Sequence, residues 1–533
     1  MTEKTKKIHI EIMKGKSGIS SFGGLWSVVE LFRKTGLPQI IDENIGARGK
    51  RGAKDSDHVL SLVLLQLAGG GVVDHLPMLQ EKLSFEGLGI TIPSPTASRK
   101  WLGAFHNEEE DKKRMVGKAF LPEENRYLRG FQKTLSSLLA FASKERPKAH
   151  LTLDQDATFI ETERREAFWN YKKDKSYEAL NTYCPEHDLV VGTRYEDGNV
   201  PPGWRQLEEF DRVLYTLPEE VKSVALRSDS AGYQSDLLTY CAEGKNPRFG
   251  FISAAISCPV REEFKEAVQR VPKTKWQPLG SRKLKSDPNE PLQEWAEVIL
   301  VPNKLGTKKH GPDYRFLAIR ERWTGDLSLE KNASEKDAPE ENSTPCPSDE
   351  EETAVQLYIP EILSDMEAEN SKLKKLHLLE MRGIIYKTFG IVTTIADGSD
   401  GSLFGYGQGS EMDGEKIILW QRKRCGKSEE IHHILKADLA GGHVPSKRFG
   451  ANAAWWNIAV VALNLHNLLK GLLLPEAYGK SRPKTVRFLL YTMAAKIVNH
   501  GRRTILKIWN GDRGGALFAH VMKALDGLSV MTV

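Results

Sequence analysis

The sequence predicts an α/β protein, with a helical N-terminal region followed by a mixed-sheet core. Three observations predict it. Apolar residues recur at helical spacing near the N-terminus, at Leu25, Val28, Val29 and Phe32 and again across residues 59–67. From about residue 146 the pattern changes to period two, beginning with LTLDQDATFIE at residues 151–161. Further stretches then follow in the order strand, strand, helix, strand, helix, strand, the alternation of a layered α/β domain.

The N-terminal helical pattern is broken by Gly69, Gly70 and Gly71. SPTASRKWL, residues 94–102, reads as the capped start of a short helix carrying Arg99 and Lys100. Basic residues on a small helical region suit DNA, although no helix-turn-helix pattern is clear. The first strand raises a question of its own, because Asp is a poor strand former. Alternation puts Asp154 and Asp156 on one face and Leu151, Leu153, Ala157 and Phe159 on the other. Either these carboxylates sit at a solvated strand end, or something cationic is held there.

Two strand-like runs, residues 179–183 and 189–195, flank PEHD and predict a hairpin. A helical stretch covers residues 204–215. SVALRSDSAGYQ then reads as an apolar strand ending at Asp229 and breaking at Gly232, before a short helix and a strand over residues 248–254. In an RNase H-like sheet that order sets the first and fourth strands side by side, so Asp154 or Asp156 would face Asp229. Clustered carboxylates repel unless a cation sits between them. Hard oxygen ligands suit Mg²⁺, with Mn²⁺ as a substitute. Two such ions serve phosphodiester chemistry.

Residues 420–465 offer a third carboxylate. Ile431, Ile434 and Leu435 form an apolar helical face, with Glu429, His433 and Lys436 opposite. The bland alternative is the solvated face of an amphipathic helix. Against it, Arg422, Lys423, Arg424 and Lys427 precede the face, and Lys447 and Arg448 follow it, a surround suited to a phosphate backbone. A metal site of another kind, from Glu429, His432 and His433, is a further alternative.

Composition narrows the classes. The 533 residues are enough for two or three domains, and 40% hydrophobic with 28% charged residues is ordinary for a soluble protein. The first residues lack the apolar core of a signal peptide. The apolar run at residues 456–474 is interrupted by Asn464, His466, Asn467 and Lys470, and predicts a buried helix, not a membrane span. Five scattered cysteines without a CxxC pair argue against a disulfide framework or a zinc finger and fit a reducing cytoplasm. Residues 330–352 hold nine carboxylates and two lysines, a net −7. With +5 on the whole chain, the remainder carries +12, as suits a polyanion partner. The acidic stretch, few in large apolar residues, reads as a disordered insert.

DQDAT, RSDSAGYQ and RCGKSEEIHHILKADLAGGHVPSKRFGANAAWW resemble, in order, the three catalytic blocks of DDE insertion-sequence transposases. The insertion-sequence 1380 family, related to the insertion-sequence 4 group, is the most similar. The resemblance implies an RNase H-like catalytic domain, a β-rich insertion before the catalytic Glu, and an N-terminal region that binds terminal inverted repeats. It implies Asp156, Asp229 and Glu429 as the catalytic and metal-binding acids. Asp154, Arg424, His433 and Lys436 are supporting candidates. Arg99, Lys100, Lys436, Lys447 and Arg448 are the expected DNA contacts. The related group carries Tyr-x2-Arg-x3-Glu-x6-Lys. Glu429 and Lys436 keep its last spacing, but Cys425 stands where Arg is expected and Arg422 where Tyr is.

The expected organisation is a DNA-binding region over residues 1–110 and a catalytic core over 146–256 and 381–475. A β-rich insertion spans 257–380, with strands near residues 297–301 and 315–320 and the disordered segment at 326–353. A basic C-terminal region covers 476–533. The expected partners are inverted-repeat and target DNA and a second copy in a synaptic homodimer, without a membrane, in a prokaryotic cytoplasm at the nucleoid. A nuclease that only hydrolyses, or an inactive DNA-binding protein, are the alternatives.

Overall fold

The computed structural model describes residues 19–83, 89–280, 282–283, 290–300, 314–323, 378–500, 503–508 and 513–531. The acidic segment expected to be disordered lies outside them. The chain forms two compact units. The first takes Met1–Arg227, Asn246–Ile252 and Lys423–Val533, and the second takes Ser228–Lys245 and Ser253–Arg422.

The first unit opens with helices Trp26–Lys34 and Leu37–Asn44, followed by α1, Asp55–Ala68. The Asp57 carboxylate accepts from the Lys54 amide at 3.1 Å to start α1. Gly69, at φ 95°, ends it, as the glycine run predicts. Helix Pro95–Gly103 is capped by the Ser94 hydroxyl, which accepts from the Ala97 amide. The long amphipathic α2 covers Arg126–Glu145.

Five strands follow: β1 His150–Glu161, β2 Phe168–Trp169, β3 Lys175–Cys184, β4 Leu189–Asp197 and β5 Ser223–Ser228. β3 and β4 form the hairpin the PEHD turn predicts, with α3, Gln206–Tyr215, after it. β1 lies between β3 and β5, so the first and fourth of the strands read from the sequence are neighbours. β1 is buried on both faces through Gln155. Beyond it the expected burial reverses, with Thr158 and Ile160 buried and Ala157 and Phe159 half-exposed.

After Lys423 the unit continues with α4, Lys427–His433, which loosens into a π-turn at Ile434–Asp438. Then comes α5, Phe449–Leu468, buried along its whole length. It packs against α1, α2 and β4. The N-terminal helices thus bury their apolar faces on the same helix as the strands. Among the described residues no single helix is long and apolar enough to cross a membrane. Ile19–Ser20 joins Ala495–His500 and Arg503–Ile508 in a small antiparallel sheet.

The second unit is rich in strands. Its strands are β6 Ser253–Cys258, β7 Gln277–Pro278, β8 Gln293–Val298, β9 Arg315–Arg322, β10 Leu378–Met381 and β11 Ile384–Thr393. They pair in the order β6, β11, β9, β8, β7, with β10 on β11. Arg382 and Gly383, both at positive φ, make the β10–β11 turn. The strand expected over residues 248–254 begins instead at Ser253. Upstream, the Asn246 side chain accepts from the amides of Arg248 and Phe249. The Arg248 guanidinium donates to the carbonyls of Leu217 and Val221. This is a tied turn, which leaves no ladder to extend.

Candidate active site

Strand β1 carries two carboxylates with different partners. Asp154 is buried, and its oxygens accept from Arg227 Nε at 2.6 Å and Nη2 at 2.8 Å, a bidentate pair across to β5. Burial raises its pKa, and Arg227, then Arg424, oppose the rise. Asp156 lies opposite Asn181 of β3 and retains 18% side-chain exposure. Its Oδ2 is 3.0 Å from Arg424 Nη1. Arg424, one residue from the position the motif spacing names, is thus the arginine that reaches the strand. Cys425, at the named position, is exposed.

Arg424 stands three residues before α4. Gly426, at φ 76°, turns the chain into that helix. Ile431, Ile434 and Leu435 are buried as their spacing predicts, while Glu429 and His433 are exposed. His432 is buried, and burial with the positive Lys436 and Arg424 pushes its pKa down to about 3. It is a neutral, buried residue, and among the described residues it is not gathered with Glu429 and His433 into a group that could hold a metal ion. Glu430 turns aside and pairs with Lys427 at 3.2 Å. Both line a polar cavity of about 270 Å³ together with Asp188 and Lys470, themselves 2.6 Å apart.

Lys436 is half-buried, and its Nζ donates to the Phe159 carbonyl of β1 at 3.1 Å. Desolvation lowers its pKa, with Glu161 opposing. That bond ties the segment following Glu429 to β1. Of the other expected DNA contacts, Arg99 pairs with Asp74 and Arg448 lies 3.8 Å from Glu108. Lys100 and Lys447 are exposed. Asp229 directly follows β5 in sequence, belongs to the second unit, and caps a short helix by accepting from the Ala231 amide at 3.0 Å.

Among the described residues, no group of three or more His, Cys, Asp or Glu is gathered for a metal ion. The donor chemistry still fits a hard divalent cation: Asp156 and Glu429 are partly or fully accessible carboxylates, whereas Asp154 is committed to Arg227. Arg227 is the residue of this site that the sequence did not single out. It stands inside RSDS, but its bond to Asp154 spans 73 residues and leaves no local signal.

Residues 392–530 match the family model of the transposase DDE domain, group 1. The matched segment contains Arg424, Glu429 and Lys436. The match supports a DDE transposase domain over that segment. A solved piggyBac transposase, in a synaptic complex with hairpin DNA, is similar at 11% identity and a TM-score of 0.39, over 88% of this chain and 79% of that one. No curated protein sequence matches.

Proposed function

We propose that the protein is an insertion-sequence transposase of the 1380 type. In this reading it binds the terminal inverted repeats of its element, cuts there, and joins the freed ends to target DNA. Asp156, Asp229 and Glu429 are its reacting-site acids, set in an RNase H-like catalytic domain. The observation that carries the reading is the Asp156–Arg424 ion pair, which joins the first-acid strand to the segment matching the transposase DDE domain.

In the first step water attacks the phosphorus at the element end and the P–O3′ bond breaks. In the second the freed 3′-hydroxyl attacks a target phosphodiester, one ester bond forming as another breaks. Asp156, Asp229 and Glu429 would hold a divalent ion, Mg²⁺ or Mn²⁺, which would supply Lewis-acid polarisation of the phosphodiester. The chain's own residues prepare the acids. Arg424 orients the Asp156 carboxylate. The buried Asp154–Arg227 pair braces β1 against β5, the strand that leads into Asp229. Lys436 ties the Glu429 segment to the end of β1. The net +12 outside residues 330–352 favours a polyanionic partner. Two copies, each holding one element end, complete the proposed synaptic assembly in a prokaryotic cytoplasm.

The test uses the full chain and duplex DNA bearing the inverted repeats that flank its reading frame. Asp229→Asn is expected to abolish end cleavage in Mg²⁺ while binding of the same duplex persists. Cleavage at the wild-type rate would overturn the assignment. Cleavage by the wild type without any joining to target would reduce the activity to that of a nuclease.

A further inference from the structure

The first unit carries a turn whose chemistry the catalytic reading does not use. After β1 the chain crosses residues 162–167, forms β2, and turns through residues 170–174 into β3. Asn170 is buried and fixes the turn. Its Nδ2 donates to Ser176 Oγ at 3.1 Å, and its Oδ1 accepts from the amides of Lys172 at 2.8 Å and Asp174 at 3.1 Å. Lys173 adopts φ 67°, and its amide donates to the Asn170 carbonyl. Arg164 holds the preceding crossing by donating to the Val444 carbonyl.

On either side of Asn170 two large rings face outward. Trp169 is 57% exposed and Tyr171 69%. The Tyr171 ring meets Phe159 edge-on at 5.4 Å. Lys172 Nζ lies 5.9 Å from the Tyr171 ring, and Lys175 Nζ 5.7 Å from Trp169. Over FWNYKKDK three lysines face one carboxylate, Asp174. The turn is close to the acids. Phe159 is three strand residues from Asp156, about 10 Å along β1. Its carbonyl receives Lys436 from the turn that follows the Glu429 helix.

Rigid, exposed aromatic faces interleaved with lysines suit bases whose faces are bare, with phosphates alongside. An intact duplex hides base faces, whereas opened DNA at a cut presents them. Resting on the transposase reading, we propose that Trp169 and Tyr171 form a stacking platform for unpaired bases beside the cleavage site, with Lys172, Lys173 and Lys175 meeting the adjoining phosphates.

The test compares the full chain on two labelled duplexes of one element end, read by fluorescence anisotropy in EDTA at fixed salt. One is fully paired, and the other is splayed over about six nucleotides at the cut position, enough to bare several bases. The double variant Trp169→Ala, Tyr171→Ala is expected to bind the splayed duplex at least about tenfold more weakly and the paired one within about twofold, since stacking acts on bare bases only. Trp169→Phe is expected to keep most of the splayed-end affinity. If the double variant melts below the wild type, Trp169→Ala alone is read in the same way. Equal weakening on both duplexes, or none, overturns the platform and leaves the transposase reading standing. So does loss of self-association with DNA affinity intact, which would assign the rings to a contact between copies. A wild type that binds neither duplex overturns both readings.

Discussion

Asp154→Asn and Asp156→Asn are expected to fail in different ways. Asp154→Asn leaves Arg227 buried without its charge partner and should destabilise the fold by about 3–5 kcal/mol, read in urea titrations. Asp156 is partly exposed although its partner Arg424 is buried, so Asp156→Asn should destabilise the fold less than Asp154→Asn does yet lose end cleavage. The reverse pattern would exchange their roles. Strand alternation puts both carboxylates on one face and does not separate them, because their different partners, Arg227 and Arg424, lie far along the chain. A similar contrast separates Glu429 from Glu430. Glu429 is exposed, while Glu430 is drawn to Lys427 beside the Asp188 cavity. Successive helical residues point about 100° apart, so one site cannot take both. Glu429→Gln is expected to eliminate strand transfer from pre-cut ends in Mg²⁺, and Glu430→Gln to leave it within about tenfold. An inactive Glu430→Gln beside an active Glu429→Gln would shift the register by one residue.

At the scale of elements, α5 shows what the sequence could and could not disclose. The polar interruptions in its apolar run mark it as a buried helix of a folded core. Their partners were not legible, because they lie far along the chain. Asn464 donates to the Val190 carbonyl at 2.7 Å and accepts from the Val190 amide at 2.9 Å, across 274 residues. Asn467 donates to the Asp188 carbonyl. The β3–β4 register shifts between Thr182 and Tyr183, and Val190 lies opposite Tyr183 there. The helix therefore supplies side-chain bonds to a strand where the ladder is irregular. Asn464→Leu keeps the branched shape but strands a buried amide and a buried carbonyl, at about 1–3 kcal/mol each. A denaturation midpoint unchanged from the wild type would show that water or a shifted strand satisfies Val190 instead. The hairpin and the apolar face of α4 were legible, because each follows from local turn chemistry or periodicity. The start of β6 was not, because Asn246 and Arg248 end the preceding loop through side chains.

For the whole molecule, the sharing of α5 makes the N-terminal helices part of the first unit's core. A chain beginning near Arg146 would expose α5 where α1 and α2 cover it. It is expected to be insoluble, so recognition of element ends by the N-terminal region has to be tested by surface substitutions. The same unit buries His58 and His466 and half-buries His187, whose pKa values desolvation pushes from 6.5 down to about 4, and it buries His432, pushed to about 3. Each stays neutral in the fold at pH 5, where the unfolded chain protonates it. A folded pKa below the unfolded one means stability is present above about pH 6.5 and lost as pH falls towards the folded value. Glu196, raised by burial to about 7, acts with the opposite sign, its contribution being lost as pH rises through that value, so the net slope mixes both. A single substitution separates them. The two ring nitrogens of His466 lie within hydrogen-bond reach of the Tyr491 hydroxyl and the Ser481 carbonyl, and its ring is wholly buried. His466→Gln should therefore be less stable than the wild type at pH 7 through lost packing. Its stability should fall less steeply in acid, and the gap between the two proteins should narrow by about 2 kcal/mol from pH 7 to pH 5. Urea titrations at the two pH values read that gap directly. Parallel curves would mean that His466 is protonated in the fold, with the buried Ser481 carbonyl holding the added proton.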